Sequence, residues 1–321
     1  MRNRFMLALL LLLAAAVPGL AQDWPPKTVR VMVPFGPGST PDIVARLIAD
    51  GLGKKYPDSV FLVENKPGAS GNLGTDAVAK AAPDGATIGV SIGGPLAINT
   101  LLFSKLPYDP AKDIAPVTQL ITQPSLLAVS PGLKVNTVAE LVALLKANPG
   151  KYNFSSIGNG SLSHLAMEAI AIKSGAQMVH VPYPSSPQAI TAVIRNDAQM
   201  ACLPAISVTP HATAGTVKLL AVSTAKRSPF LPDVPTLKES GIDVDADAWM
   251  GLIAPGGTPK ILINWIREDV VEIIKQPAFR EKLATQMMEP VGTTPEEFRA
   301  RIDGEFARWA PVIDAAGIRI N

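Results

Sequence analysis

The sequence predicts an α/β protein: a mostly parallel sheet covered by helices, built twice in two facing lobes. Two observations carry this. First, apolar β-type runs and amphipathic helical segments alternate from Thr28 onward, joined by short loops. Second, the strand–glycine loop–helix design at Val31–Asp42 recurs at Phe154–His164, in a separate α/β unit. Open sheets of this kind bind ligands beyond the carboxyl ends of their strands.

The leader comes first. Arg2 and Arg4 precede the apolar run Phe5 to Val17, and Gly19-Leu20-Ala21 supplies small residues at positions −3 and −1. This is a secretory signal over residues 1–21, with cleavage expected after Ala21. A membrane anchor would need about 20 apolar residues, and this run is shorter. Losing Arg2 and Arg4 brings the 29 basic residues to 27, equal to the 27 acidic ones. Nothing in that balance recruits nucleic acid or an anionic membrane surface. Cys202 is the only cysteine, so no internal disulfide forms. An exported chain without disulfides fits a bacterial periplasmic protein resting on its core, and 47% hydrophobic residues supply one.

The elements follow in order. Thr28 to Pro34 reads as a buried strand. Gly36 and Gly38 turn the chain, Thr40 caps a helix and Pro41 takes its first position. That helix carries Ile43, Val44, Leu47, Ile48 and Leu52 on one face, with Gly53 as its stop. Val60 to Glu64 is a strand, Leu73 to Ala82 a helix, Ala86 to Ser91 a strand, and a short helix runs to about Leu102. Val117 to Val129 is long and apolar, broken at Thr122-Gln123-Pro124, as expected of a strand crossing between domains. Helices at Thr137–Ala147, Leu162–Lys173, Pro187–Arg195 and Val208–Ala214 alternate with strands ending at Ser156, Pro182 and Leu203. Lys218 to Ser223 reads as a strand returning to the first domain. Two amphipathic helices, Pro259–Ile274 and Pro295–Ala316, close the chain, with their aromatics assigned to the core.

Chemistry concentrates in the two glycine loops. Each ends a strand and opens a helix, whose free N–H groups and positive dipole end attract an anion. Hydroxyls of Ser39, Thr40, Ser161 and Ser163 add donors, and neither loop holds Lys or Arg. Asp42, an acid in the first helical turn, is read as the residue that shapes its loop. Enzyme motifs are missing. No G-x-S-x-G occurs, His164 is a poor base for its neighbour Ser163, and His164, His180 and His211 lack zinc spacing. Gly36-x-Gly38-x-x-Pro41 lacks the third glycine of a dinucleotide loop. The reading is therefore a binding protein with no catalytic residue, metal or cofactor. A periplasmic sensor signalling to a membrane partner remains an alternative, since it would close in the same way.

Several motifs stand in a telling order: Val33-Pro34-Phe35 with the glycine loop and Asp42, Glu64-Asn65-Lys66-Pro67-Gly68, Ala82-Pro83-Asp84-Gly85, Leu106-Pro107-Tyr108-Asp109, Gly158-Asn159-Gly160-Ser161, His180-Val181-Pro182-Tyr183, and Leu231-Pro232-Asp233-Val234-Pro235. Together they resemble the Bug-type solute receptors of tripartite tricarboxylate transporters. The resemblance implies a two-lobed type II periplasmic-binding-protein fold with a ligand cleft between the lobes. One lobe is expected from 22–122 and 225–321, the other from 123–224. It also implies a monomer that takes a small organic acid and hands it to inner-membrane transporter subunits. The carboxylate would lie between Gly38, Ser39 and Thr40 on one side and Gly158, Asn159, Gly160, Ser161 and Ser163 on the other. Ser91 would line the cleft, and Asp42 and His164 would shape the loops. Pro184-Ser185-Ser186-Pro187 and Gln199 depart from the family pattern. Asp245 and Asp247 are read as a solvated loop in preference to contacts for a ligand amine.

Overall fold

The computed structural model describes residues 24–320, so the leader and its cleavage point after Ala21 lie outside the described residues. The chain opens with the expected alternation. Strand β1 (Thr28–Val33) leads to α1 (Thr40–Lys55), β2 (Val60–Asn65), α2 (Asn72–Ala79) and β3 (Thr87–Ile92). β1 pairs in parallel with β2 on one side and β3 on the other. Helix α1 starts one residue earlier than the motif suggests, because Ser39 and not Thr40 occupies the N-cap. It also runs through Gly53 to Lys55. Lys54 and Lys55 favour the carboxyl end of the helix, and Lys55 pairs there with Asp269 at 2.9 Å.

A distorted turn and the short α3 (Asn99–Leu102) bring the chain to β4 (Ile114–Gln123). Pro124 then separates β4 from β5 (Ser125–Val129). The long apolar stretch thus gives one strand to each of two sheets. The second sheet is assembled from β5, α4 (Val138–Ala147), β6 (Asn153–Ser156), α5 (Leu162–Ser174), β7 (Val179–Pro182), α6 (Ser186–Arg195), β8 (Met200–Pro204), α7 (Ala205–Thr213) and β9 (Lys218–Val222). Its strand order is β7-β6-β8-β5-β9. β9 therefore does not return to the first sheet. It lies at an edge, antiparallel to β5, and the segment after it makes the return.

That segment enters β10 (Ala248–Pro255), which inserts between β3 and β4 and runs antiparallel to both. With β11 (Glu289–Pro290) the first sheet reads β11-β4-β10-β3-β1-β2. Both sheets are therefore mixed, not mostly parallel. The reason is topological: a strand arriving from the other sheet enters from the opposite end. β10 gives no alternating signal because seven of its eight residues are buried, on both faces. Cys202 is fully buried in β8, and burial pushes its thiol up to about 12.

Helices α8 (Lys260–Lys275) and α9 (Pro277–Ala284) cover the first sheet, and α10 (Pro295–Ala316) spans both halves. A capping box between Thr294 and Glu297 starts α10, with Pro295 in its first turn. Its early residues Phe298 and Ile302 pack with Met32, Leu96 and Trp249. Its later residues Trp309, Val312 and Ile313 join Leu141, Phe154 and Leu165 in the other core. Gly251 in β10 permits the first contact, since a Cβ there would stand 1.9 Å from Phe298 Cζ. Gly251→Ala should therefore destabilise the fold by about 1–3 kcal/mol or more through overpacking. A lowered urea midpoint at unchanged m-value checks this.

Candidate ligand-binding cleft

The first loop is held open by one carboxylate. Gly38 sits at φ +78°, a conformation that suits a residue without Cβ. Its N–H donates to Asp42 Oδ2 at 2.9 Å. Asn65, at the end of β2, donates from Nδ2 to Asp42 Oδ1 at 2.9 Å and to the Phe35 carbonyl at 2.8 Å. Arg46 adds a bond from Nε to Asp42 Oδ2 at 3.0 Å. Asp42 is only 2% exposed. Burial pushes its carboxyl up, but the bonds from Arg46, Gly38 and Asn65 outweigh this and hold it below the usual carboxylate range. With Asp42 turned inward, Ser39 and Thr40 face the cleft at the start of α1. The Ser39 hydroxyl makes no cap bond and, although buried, has no hydrogen-bond partner among the described residues.

The second loop uses its side chains on itself. Ser161 is the N-cap of α5. Its Oγ accepts the His164 N–H at 3.3 Å and donates to the Gly158 carbonyl at 2.7 Å. Ser163 Oγ accepts the Ile157 N–H at 3.0 Å, and His164 Nδ1 accepts the Gly160 N–H at 3.1 Å. Gly160, at φ +70°, backs onto Leu102 and Ile320, where a Cβ would come within 2.5 Å of Leu102 Cδ1.

Between the two sheets lies a cavity of about 600 Å³. Gly38, Ser39, Thr40 and Ser163 line it. Gly158, Asn159, Gly160 and Ser161 do not: they form the turn behind Ser163, with Asn159 exposed. Ser91 is buried 3.1 Å from Thr75 Oγ1, and Ile92, Gly93 and Gly94 take its expected place in the wall. The loops after β1, β3, β6, β7 and β8 all contribute, so the carboxyl ends of the parallel strands converge as such folds require.

The chain matches known proteins over most of its length. The model of the tripartite tricarboxylate transporter family receptor matches residues 44–318. The chain belongs to this family. The receptor is 33% identical to BugT of Bordetella pertussis over 310 residues, 95% of this chain and 94% of that one. Its fold is that of the solved R. palustris Rpa4515 with adipate (TM-score 0.81, 32% identity, covering 92% of this chain and 99% of that one). The same holds for MatC from Rhodopseudomonas palustris with bound malate (TM-score 0.75, 30% identity, 90% and 100%). These are two-lobed periplasmic-binding-protein structures, and the family is one of periplasmic receptors, not enzymes.

Several cleft residues of the receptor escape a reading of its loops. Gln123 and Ser125 come from the β4–β5 crossing, Ser185, Ser186 and Pro187 from the start of α6, and Asp247 to Met250 from the start of β10. Glu305 of α10 carried a usable signal: it falls in the helix's buried stripe with Phe298, Ile302 and Trp309. Asp245 and Asp247 are not a free solvated loop: both are half-buried and paired with arginines of α10. Asp247 bonds Arg301 and accepts from Thr122 Oγ1 at 2.7 Å. Arg308 reaches Asp245 at 3.0 Å and Glu305 at 3.3 Å, and Trp309 Nε1 donates to Glu305 Oε2 at 2.6 Å. Burial, then the neighbouring Asp247, pushes the Asp245 carboxyl up. Burial does the same to Glu305 against the pull of Arg301 and Arg308.

Behind the second loop, the rings of His164 and His180 stack at 3.7 Å, and Phe154 packs on His180 at 4.9 Å. His180 Nε2 lies 2.6 Å from Ser156 Oγ. Burial, then the neighbouring His164, lowers the His180 pKa to about 4, while Glu168 opposes the shift. The unfolded chain therefore binds a proton here that the folded chain refuses. This contribution to stability is present above about pH 6.5 and is lost as pH falls towards 4. His180→Gln should flatten the decline of stability over that window, as thermal melts between pH 7 and pH 4.5 will show. Ser161→Ala should lower stability by about 1 kcal/mol through the lost cap, measured by urea unfolding. Asp42→Ala should cost about 2 kcal/mol or more, because the Gly38 and Asn65 donors lose a charged acceptor.

Proposed function

We propose that the receptor captures a small organic acid in this cleft by hinge closure and delivers it to inner-membrane transporter subunits. The first lobe comprises 22–122 and 225–321 and the second 123–224, with the last helix bridging them. After export and cleavage following Ala21 the protein works as a monomer. It uses no cofactor and does not engage nucleic acid.

The observation that carries this reading is the Ser39 hydroxyl. It is a buried donor with no partner among the described residues, at the positive end of α1, and Ser39 lines the cavity together with Ser163 at the start of α5. A polar group left so costs stability unless something bonds it. A carboxylate placed between the two helix starts meets hydroxyls, backbone N–H groups and both dipoles. Adipate and malate in the related structures are carboxylates, in keeping with this grip. Gly158, Asn159, Gly160 and Ser161 serve it indirectly by fixing the turn that presents Ser163, and Asp42 and His164 hold the backbones of the two loops. A hydrolase reading has one pair to offer, Ser156 with His180. That histidine is a poor base, with its pKa near 4, and neither residue reaches the cavity wall.

A thermal-shift screen against organic acids should find a ligand that raises Tm, since binding to the folded state alone stabilises it. By calorimetry, Ser39→Ala should weaken that ligand by about 1–3 kcal/mol, the value of a buried bond to a charged group. Undiminished affinity would remove Ser39 from the grip. Unchanged uptake of the identified ligand in a strain lacking the gene would overturn the transport role.

A further inference from the structure

We propose that the ligand bears a single carboxylate on an apolar body, and that the cleft excludes a second anionic group. This rests on the organic-acid reading above and narrows it. The argument starts from the charges in the wall. Among the described residues, the charged side chains lining the cavity are Asp247 and Glu305, and no Lys or Arg is part of that lining.

The nearest guanidinium groups stand behind those carboxylates with their charge already paired, and Arg301 keeps only its buried Nε–H without a partner among the described residues. Arg301 bonds Asp247, lies 3.3 Å from Glu305 and sets its guanidinium over the Trp249 ring at 5.8 Å. Arg308 spans Asp245 and Glu305. Three carboxylates thus share two cations, and the side turned to the ligand is the acidic one. An anion brought to this end would be desolvated against like charge with no free cation to receive it.

The remaining wall does not supply the missing charge. Phe35, Ile92, Ile98, Leu162, Trp249 and Met250 give it a broad apolar surface. Trp249 is fixed there, with Gly93 so close that a Cβ would meet the indole ring at 3.1 Å. One further helix start, that of α6, reaches the cavity through Ser185, Ser186 and Pro187; it follows β7, which pairs in parallel with β6, so it adds to the same end as α5 and brings no cation. The cleft therefore has one end equipped for an anion, at α1 and α5. Its body suits an aliphatic chain or a ring, and its far end repels a second carboxylate.

Calorimetry and thermal shift with size-matched pairs test this on the mature protein: hexanoate against adipate, and 4-methylbenzoate against terephthalate. The expected result is that the monocarboxylate of at least one pair binds and its dicarboxylate partner binds at least tenfold more weakly. A dicarboxylate binding as tightly as its partner, or more tightly, overturns the inference and leaves the organic-acid reading standing. No shift with any monocarboxylate, these two included, also overturns it. No shift with any organic acid overturns the reading beneath it. Asp247→Asn should narrow the ratio within a pair several-fold by removing the negative charge and freeing Arg301. An unchanged ratio in a variant with wild-type circular dichroism would overturn the electrostatic basis.

Discussion

The buried ionic cluster where the two lobes meet is the constraint on which the rest depends. Asp247 opens β10, the strand that completes the first sheet, and Glu305, Arg301 and Arg308 project from α10, which packs into both cores. Thr122, near the end of β4, joins the same cluster. One set of ion pairs therefore ties together a crossing strand, a returning strand and the terminal helix. Such a cluster adds little net stability over a well-packed apolar substitute, yet removing one member leaves a buried charge unpaired, at about 3–5 kcal/mol. Its value is positional. It fixes Trp249 and the acidic end of the cleft relative to the helix starts that face them.

The opposite end of the cleft is set by a different economy of polar groups. Asp42, Asn65, Ser161 and His164 satisfy the backbones of the two loops from behind, so little of their polarity points forward. What remains for a ligand is a small set of donors at helix termini. A site of this kind holds an anion through neutral dipoles and lets it go without breaking an ion pair, as delivery to a membrane partner requires.

Much of this was legible from residues alone. The alternation of strand and helix, the paired glycine loops and the break at Pro124 placed the two sheets and the cleft between them. Asp42 announced its role by standing in the first turn of a helix after Gly38. What was hidden has physical reasons. β10 is apolar on both faces and shows no period. The turn at Gly158–Ser161 has the composition of a ligand loop, but φ values and cap bonds decide which side it presents. The ionic cluster joins Thr122, Asp245, Asp247 and three residues of α10, distant in sequence and adjacent only once the chain has returned from the second sheet. Glu305 in an apolar stripe was the one local sign of it.

The placement of β10 also governs the order in which the molecule assembles. β3 ends at Ile92, yet its neighbour in the sheet begins at Ala248. The second sheet is drawn from one continuous stretch, but its core waits for Trp309 and Ile313. Neither core is complete until the last helix arrives, and contacts so distant along the chain slow folding. A chain that completes its cores late therefore stays loosely packed until its final residues are in place.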